Sequence, residues 1–407
     1  MTVAEEILQK YVQKVPKAIL GAEKVSFIIE MAQQMPGDEK VELHKMVNYV
    51  LTLMIEREAS DVEIGGVGTD NFFWFRIHGQ KTRVEELPRL GHLEASILIV
   101  SLLTNNQCKH LLVGRNLDFS YTFHYDVLNK NVRFRADAYF DLDSLALNMR
   151  AISASTRPIE SLGLHPNAVR MMSHQYVKFG LSLITGITGS GKSTTLDSII
   201  DFHNKFDSAH IVIVASPIEY VHRSNRAIIR HREVGKDVLS FQEGVVQALR
   251  QDPDIIIIGE MRDPETIMAA LEVTDTGHKV FSTLHTSSAT ESIDRIIAEV
   301  NPVEQERVRN RLADVLTSVI SQKLVPTVDK KRIMAKEVLI VTPSVRAAIK
   351  NNNTSEIYMM IMQGGPQGMI TMEQDLLRLV IERVITKETA ISYANNKTRM
   401  LQLLKVN

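Results

Sequence analysis

The sequence predicts an α/β protein of two domains, the first built on an antiparallel sheet and the second on a mostly parallel one. Three observations carry this. The chain has 407 residues, more than one ordinary core of about 100 to 200 residues. The stretch "LDFSYTFH" alternates Leu117, Phe119, Tyr121 and Phe123 with polar residues, the period-two signature of a half-buried strand. Further on, "GLSLITG", "HIVIVAS", "PDIIIIGE" and "HKVFSTLH" alternate with helical segments, the pattern of buried parallel strands under covering helices.

Along the chain, Val3, Ile7, Leu8, Tyr11, Val12 and Val15 share one helical face, and "VELHKMVNYVLTLMIER" repeats the pattern. Residues 1–57 therefore read as an N-terminal helical extension that either packs on the body or offers a partner surface. Residues 58–153 form the first domain: "SDVEIGG", "FFWFRIHG" and "NVRFRADAYF" supply strands, and "LEASILIVSLL" a helix over the sheet. The Ser-, Thr-, Gly- and Pro-containing "SASTRPIESLGLHP" supplies a linker over 154–166.

Residues 167–407 form the second domain with a helical C-terminal region. Ser240 with Glu243 predicts a capping box, and Asp263 and Pro264 open a helix that Gly277 closes. "QERVRNRLADVLTSVISQKL" reads as mainly helical, with Val308, Leu312, Val315, Leu316, Val319 and Ile320 on one face; Arg307, Arg309 and Arg311 there read as solvated charge. "TPSVRAAIK" reads as a helix after a proline, "YMMIM" as core and "GGPQG" as a turn.

Composition narrows the function. Lys and Arg number 47 against 48 Asp and Glu, for a formal charge of -1, so no global field favours nucleic acid or an anionic membrane. A single cysteine, Cys108, can build neither a disulfide framework nor a four-cysteine zinc site. The acidic start "MTVAEEILQK" is unlike a signal peptide, and no apolar run approaches about 20 residues. A soluble cytoplasmic protein is expected.

The most specific motif is "GITGSGKST", which matches G-x-x-x-x-G-K-S/T after an apolar strand and before a helical pattern. Such a loop wraps backbone N–H groups around a nucleotide β-phosphate at a helix N-terminus. Gly186, Thr188, Gly189, Ser190, Gly191, Lys192, Ser193 and Thr194 are the candidate ATP-binding residues. Lys192 would reach the β- and γ-phosphates and Ser193 would hold Mg2+.

A phosphate loop also needs an acid at the end of a neighbouring strand. Glu260 emerges beyond the four isoleucines of "DIIIIGE", where ligands of open α/β sheets sit. Gly259 stands where many phosphate-loop enzymes carry Asp, which leaves Glu260 to act on the metal through water. Glu219, in "SPIEYVH" beyond another buried strand, is either an activator of water or an exposed loop acid on spacing alone. His278 and His285 read as structural, since a His-x6-His spacing fits no usual zinc motif. Arg133 and Arg135 lie on the polar face of one strand and Arg150 in "LNMRAI", a solvated sheet face when read alone.

"GITGSGKSTT", "SPIEYVH", "REVGKDVLSFQEGVVQALRQDPDIIIIGEMRDPETI" and "TGHKVFSTLHTSSATESIDRI", in this order, resemble the secretion ATPase superfamily, and within it the type IV pilus retraction ATPases. The likeness runs from about Ser60 through "TPSVRAAIK" and "GGPQGMITMEQDLL" to the C-terminus. It implies a PAS-like α/β domain followed by a RecA-like ATPase domain, working as a homohexamer with ATP and Mg2+. Glu219 matches the family's catalytic glutamate and Glu260 its atypical Walker B glutamate. His278 and His285 match its histidine box, His285 in catalysis and His278 in nucleotide binding. Arg133, Arg135 and Arg150 resemble its arginine fingers.

The implied partners are an inner-membrane pilus platform protein, the pilus machinery and a second motor, with the chain peripheral to the cytoplasmic side of the inner membrane. Nucleic acid and zinc are not among them: a DNA translocase is disfavoured by the charge balance, and the alternative of a pilus-extension or type II secretion ATPase usually brings a four-cysteine zinc module that a single-cysteine chain cannot form. Two departures stand out. Ala215 and Ser216 replace carboxylates of the family's Glu-Asp-Pro-Ile-Glu stretch, which raises the alternative of an accessory ring subunit with weak hydrolysis. The helical segment before Ser60 is longer than a retraction motor implies.

Overall fold

The computed structural model describes residues 2–125, 129–142, 144–152 and 156–406. The chain forms two compact units, Met1–Ala154 with Ser216–Tyr220, and Ser155–Ala215 with Val221–Asn407.

The first unit opens with helices α1 (Thr2–Val12), α2 (Gly21–Gln33) and α3 (Gly37–Glu56), followed by strands β1 (Ala59–Gly65), β2 (Phe73–Ile77) and β3 (Gln80–Val84). Helices α4 (His92–Ser101) and α5 (Asn105–Gly114) precede β4 (Asn116–Tyr125), β5 (Lys130–Asp141) and β6 (Ser144–Ala151). The strands form one antiparallel sheet in the order β3-β2-β1-β6-β5-β4. Leu117, Phe119, Tyr121 and Phe123 of β4 are buried as their alternation requires, while Asp118, Thr122 and His124 are exposed.

The N-terminal helices are not a detached extension. Leu8 and Tyr11 of α1, Ile28 of α2 and Val47 of α3 share one core with Phe73, Phe75 and Phe134 of the sheet. An antiparallel sheet has one apolar face to cover, and amphipathic helices supply the cover. Tyr121 donates from its hydroxyl to Asn48 Oδ1 at 2.7 Å, which meets the phenol's hydrogen-bonding need where sheet and helix meet.

In the second unit, α6 (Pro166–Met172), β7 (Gly180–Thr185), α7 (Lys192–Phe206), β8 (His210–Ala215) and β9 (Ile228–Glu233) lead to α8 (Phe241–Ala248), β10 (Ile255–Ile258), α9 (Pro264–Asp275) and β11 (Lys279–Leu284). Then follow α10 (Ala289–Ala298), α11 (Gln305–Val315), β12 (Leu316–Pro326), β13 (Arg332–Ile340), α12 (Pro343–Lys350), α13 (Thr354–Gln363), α14 (Met372–Ile381), α15 (Lys387–Tyr393) and α16 (Lys397–Val406). The sheet order is β13-β12-β7-β11-β10-β8-β9, parallel throughout except for β13 against β12. The strands β7, β10 and β11 are buried along their whole length.

Three sequence expectations change. Residues 305–324 are not one helix: α11 ends at Val315 and the chain continues as β12, whose Val319 and Ile320 pair with Leu183 and Ile184 of β7. The β-branched run Thr317, Val319 and Ile320 favours a strand once a partner edge is available. The segment expected as a linker packs with the second unit, where Ile159 and Leu162 are buried; residues 153–155 lie outside the described residues. The cap at Ser240 is half a box: its side chain accepts from the Glu243 N–H, but the Glu243 carboxylate accepts from Gln247 instead.

Candidate active site

Strand β7 delivers the chain to the glycine-rich loop at its C-terminal end, and α7 leaves from it at Lys192. At Gly186 a Cβ would stand 2.4 Å from both the Gln322 carbonyl oxygen and Ser190 Oγ, so the close approach of β12 demands glycine there. Gly189 and Gly191 hold φ of 80° and 90°. Ser190 is buried, whereas Ser193 and Thr194 face solvent at the start of α7.

Lys192 Nζ donates to the carbonyls of Gly186 at 2.7 Å and Ile187 at 3.2 Å, and lies 3.5 Å from His285 Nδ1. Partial burial lowers its pKa and nearby Arg262 lowers it further, while Glu260 opposes both. His285 stands just beyond β11, with Nε2 3.6 Å from Glu260 Oε2. Glu260 in turn pairs with Arg262 Nε at 2.8 Å. Burial, then the charges of Lys192 and Arg262, push the His285 pKa below its ordinary value. A neutral imidazole facing the Lys192 donor with Nδ1 carries its proton on Nε2, toward Glu260.

The glycine before Glu260 has a packing cause. A Cβ at Gly259 would lie 3.0 Å from Ala215 Cβ and 3.1 Å from its Cα, at the end of the adjacent strand β8. An aspartate at 259 therefore requires β8 to give way, and the carboxylate stands one residue later. Thr283 Oγ1 donates to the Gly259 carbonyl at 2.7 Å, and Met261 N to the Thr283 carbonyl at 3.1 Å, which fixes the turn carrying Glu260.

These residues fit a nucleotide. The loop supplies a glycine cradle, a helix N-terminus and an ammonium group, the elements that hold a β-phosphate. Among the described residues no group of three or more His, Cys, Asp or Glu could hold a metal ion by itself. Ser193 and Glu260 could each contribute to Mg2+, an ion that keeps several waters and takes much of its coordination from substrate phosphates.

Glu219 falls in the first unit, in the segment Ser216–Tyr220. Its Oε1 is 3.5 Å from Arg135 Nη1, and Arg135 also pairs with Asp118 at 3.2 Å. Arg133 donates to the Ile218 carbonyl from Nε at 3.2 Å and from Nη2 at 2.7 Å. Two of the three predicted arginines thus converge on the Glu219 segment. Arg150, paired across the strands with Arg135, is held instead by Asp61, with Nε and Nη2 both 2.7 Å from Oδ1. Burial pushes the Asp61 carboxyl up, but hydrogen bonds from Ser60 and Arg150 outweigh it and hold the pKa below the usual range.

Lys192, Glu260 and His285 meet at the loop, and His278 does not join them. His278 precedes β11 and His285 follows it, so the strand's own length of about 20 Å separates them. His278 Nδ1 lies 3.0 Å from Thr276 Oγ1 and 3.2 Å from the Val273 carbonyl oxygen, at the end of α9. Conversely, sequence reasoning missed Gln322, whose Nε2 donates to the Ser190 carbonyl at 2.7 Å. No local motif marks it, because it comes from β12, far along the chain.

A family model described as "Type II/IV secretion system protein" matches residues 37–398. The chain is 38% identical over 326 residues to the "Twitching motility protein" of Neisseria gonorrhoeae, covering 80% of this chain and 85% of that protein. It is 38% identical over 315 residues to the "Type IV pilus retractation ATPase PilT" of Pseudomonas aeruginosa, covering 77% and 89%. The crystal structure of the pilus retraction motor PilT with bound ADP superposes with a TM-score of 0.76 at 34% identity, covering 87% of this chain and 98% of that one. The match extends across the antiparallel unit and the phosphate-loop unit alike, and on that ground the chain belongs to the type II/IV secretion system protein family, as a nucleotide-binding ATPase.

Proposed function

We propose that this chain is a homohexameric Mg-ATP-hydrolysing motor for type IV pilus retraction, working at the cytoplasmic face of the inner membrane against a platform protein of the pilus machinery. The observation that carries the chemistry is the Lys192, His285 and Glu260 array at the C-terminal ends of β7, β11 and β10. Lys192 binds the β- and γ-phosphates of the substrate, and the loop N–H groups bind the β-phosphate. Bound Mg2+ would neutralise charge on the phosphates, held by Ser193 and, through water, by Glu260. His285, neutral, is placed to hydrogen-bond at the phosphate end without adding charge.

Glu219 serves as the acceptor for the proton of the attacking water, with Arg135 orienting its carboxylate. Arg133, Arg135 and Arg150 each hold a partner within the first unit. An arginine that reaches the phosphates exchanges that partner for the nucleotide, which would make closure of the motor depend on its nucleotide. Among the described residues no helix is long and apolar enough to cross a membrane, in keeping with a peripheral motor.

The test is steady-state Mg-ATP hydrolysis with Glu219→Gln beside the unmutated protein, with ATP binding followed separately. Glu219→Gln keeps ATP binding while hydrolysis falls about a hundredfold or more; retained hydrolysis removes Glu219 as the base. Cells lacking the chain keep surface pili that no longer shorten, whereas loss of the pili themselves points to an extension motor. A second reading, an accessory ring subunit, rests on Ala215 and Ser216; it predicts nucleotide binding with little hydrolysis in the unmutated protein.

A further inference from the structure

Gln322 lies on β12, which runs parallel to β7 and continues past the point where β7 gives way to the phosphate loop: Ser321 pairs with Thr185, the last residue of β7. The side chain is 1% exposed. Its Nε2 donates to the Ser190 carbonyl at 2.7 Å, and a Cβ at Gly191 would lie 3.2 Å from the same nitrogen. The amide orientation is fixed by chemistry, since the reverse would set two carbonyl oxygens against each other. Among the described residues, neither its Oε1 nor Ser190 Oγ, both buried, has a hydrogen-bond partner. A core optimised for stability does not keep such groups unpaired, and their cost is tolerated where a site requires the arrangement.

The Ser190 carbonyl and the Gly191 N–H belong to one planar trans peptide, so they point in opposite directions. Pinning the carbonyl against β12 turns the Gly191 N–H away from β12. We infer that Gln322 is a positioning residue for nucleotide binding: it holds the Ser190–Gly191 peptide with its N–H turned to the phosphates and its carbonyl turned from them. This rests on the reading of the loop as the nucleotide site. Released from Gln322, the peptide is free to rotate and present a carbonyl dipole to an anion, which repels it.

The strand carrying Gln322 is itself held. Lys323 Nζ donates to the Tyr393 carbonyl at 2.7 Å and to Asn395 Oδ1 at 2.6 Å, at the junction of α15 and α16. The C-terminal helices thereby set the position of the residue that sets the loop.

The experiment compares the purified unmutated protein with Gln322→Met, which keeps the length of the side chain and removes both the donor and the partnerless oxygen. Affinity for ADP, KM and kcat for Mg-ATP, and Tm are measured on each. The inference expects ADP affinity to fall and KM to rise about tenfold, with kcat altered less than about twofold and Tm unchanged or higher. ADP affinity within about twofold of the unmutated protein overturns it. So does a weakening of ADP that travels with a fall in Tm of about 4 °C or more, since that marks a structural role. Should Gln322→Met not fold, Gln322→Leu carries the same expectations and the same two overturning results. Failure of the unmutated protein to bind ADP instead overturns the nucleotide reading on which the inference stands.

Discussion

Strand β11 carries a histidine beyond each end, and the two ends do different work. At the C-terminal end, His285 stands between Lys192 and Glu260, polar groups that face one another across three strands. At the N-terminal end, His278 is absorbed by Thr276 and the Val273 carbonyl. Beside it Lys279, fully buried, donates to the carbonyls of Met171 at 3.2 Å and Val177 at 2.9 Å. The sheet imposes the difference. Helices begin at the C-terminal edge of a parallel sheet and offer unpaired N–H groups to a ligand; at the other edge they end, and their carbonyls accept from the protein's own donors. A polar group on this sheet is therefore left open to a ligand or tied to the protein according to the edge it occupies.

The largest contrast should come from Lys192→Ala. Removing the ammonium from the loop should lower hydrolysis by about a thousandfold and abolish tight ADP binding, while Tm holds, because the lysine is only partly buried and its charge is disfavoured there. A fall in Tm with retained hydrolysis would erase the distinction between the two edges. His285→Ala should follow with a loss of about tenfold to a hundredfold in kcat and a smaller change in ADP affinity. Its pH dependence is also determined. With the His285 pKa depressed, the imidazole stays neutral as pH falls through histidine's ordinary value of about 6.5, so the rate stays flat there and drops only in more acid solution. A rate that halves near the ordinary value would mean that His285 lacks the burial and the cationic neighbours described above.

Much of this site could be read from sequence because its parts are local. The phosphate loop needs glycines at fixed offsets, so its pattern survives without tertiary context. Glu260 was findable because four isoleucines end one residue before its neighbour Gly259. Gln322 was not, for two reasons: its apolar neighbours at 308, 312, 315, 316, 319 and 320 fit a helical face, and the strand exists only because β7 offers an edge. His278 shows the opposite case. Reading 279–284 as a strand already separates the two histidines by the strand's length, but a family motif groups them together and hides that separation. In the first unit, alternation placed Arg133 and Arg135 on one face, yet no pattern reveals that Ser216–Tyr220 groups with that unit or that Asp61 holds Arg150.

At the other edge, Lys279→Met should leave hydrolysis within about twofold and change stability in a pH-dependent way. Burial lowers the Lys279 pKa from 10.5 to about 7, with Asp207 pulling it partly back. Between those values the unfolded chain holds a proton that the folded protein does not, so the lysine's contribution rises with pH through this window and is lost as pH falls toward 7. The slope for one proton is at most about 1.4 kcal/mol per pH unit. Unfolding followed against pH should show this rise in the unmutated protein and not in Lys279→Met. Equal slopes would mean that Lys279 is charged in the folded state.

His278→Ala should have the smallest effect, and it is the sharpest probe of the contrast because it sets geometry against resemblance. The side chain is half-buried and, among the described residues, hydrogen-bonds only at the end of α9. Its removal forfeits a hydrogen bond worth about 1 kcal/mol or less and touches nothing at the phosphate loop, about 20 Å along β11. Hydrolysis and ADP affinity should stay within about twofold, with Tm lower by about 3 °C at most. A tenfold loss of kcat in His278→Ala, with ADP affinity and Tm intact, would show that the N-terminal edge takes part in catalysis. The strand's length of about 20 Å leaves His278 out of reach of its own loop, so that result would point to a nucleotide held elsewhere.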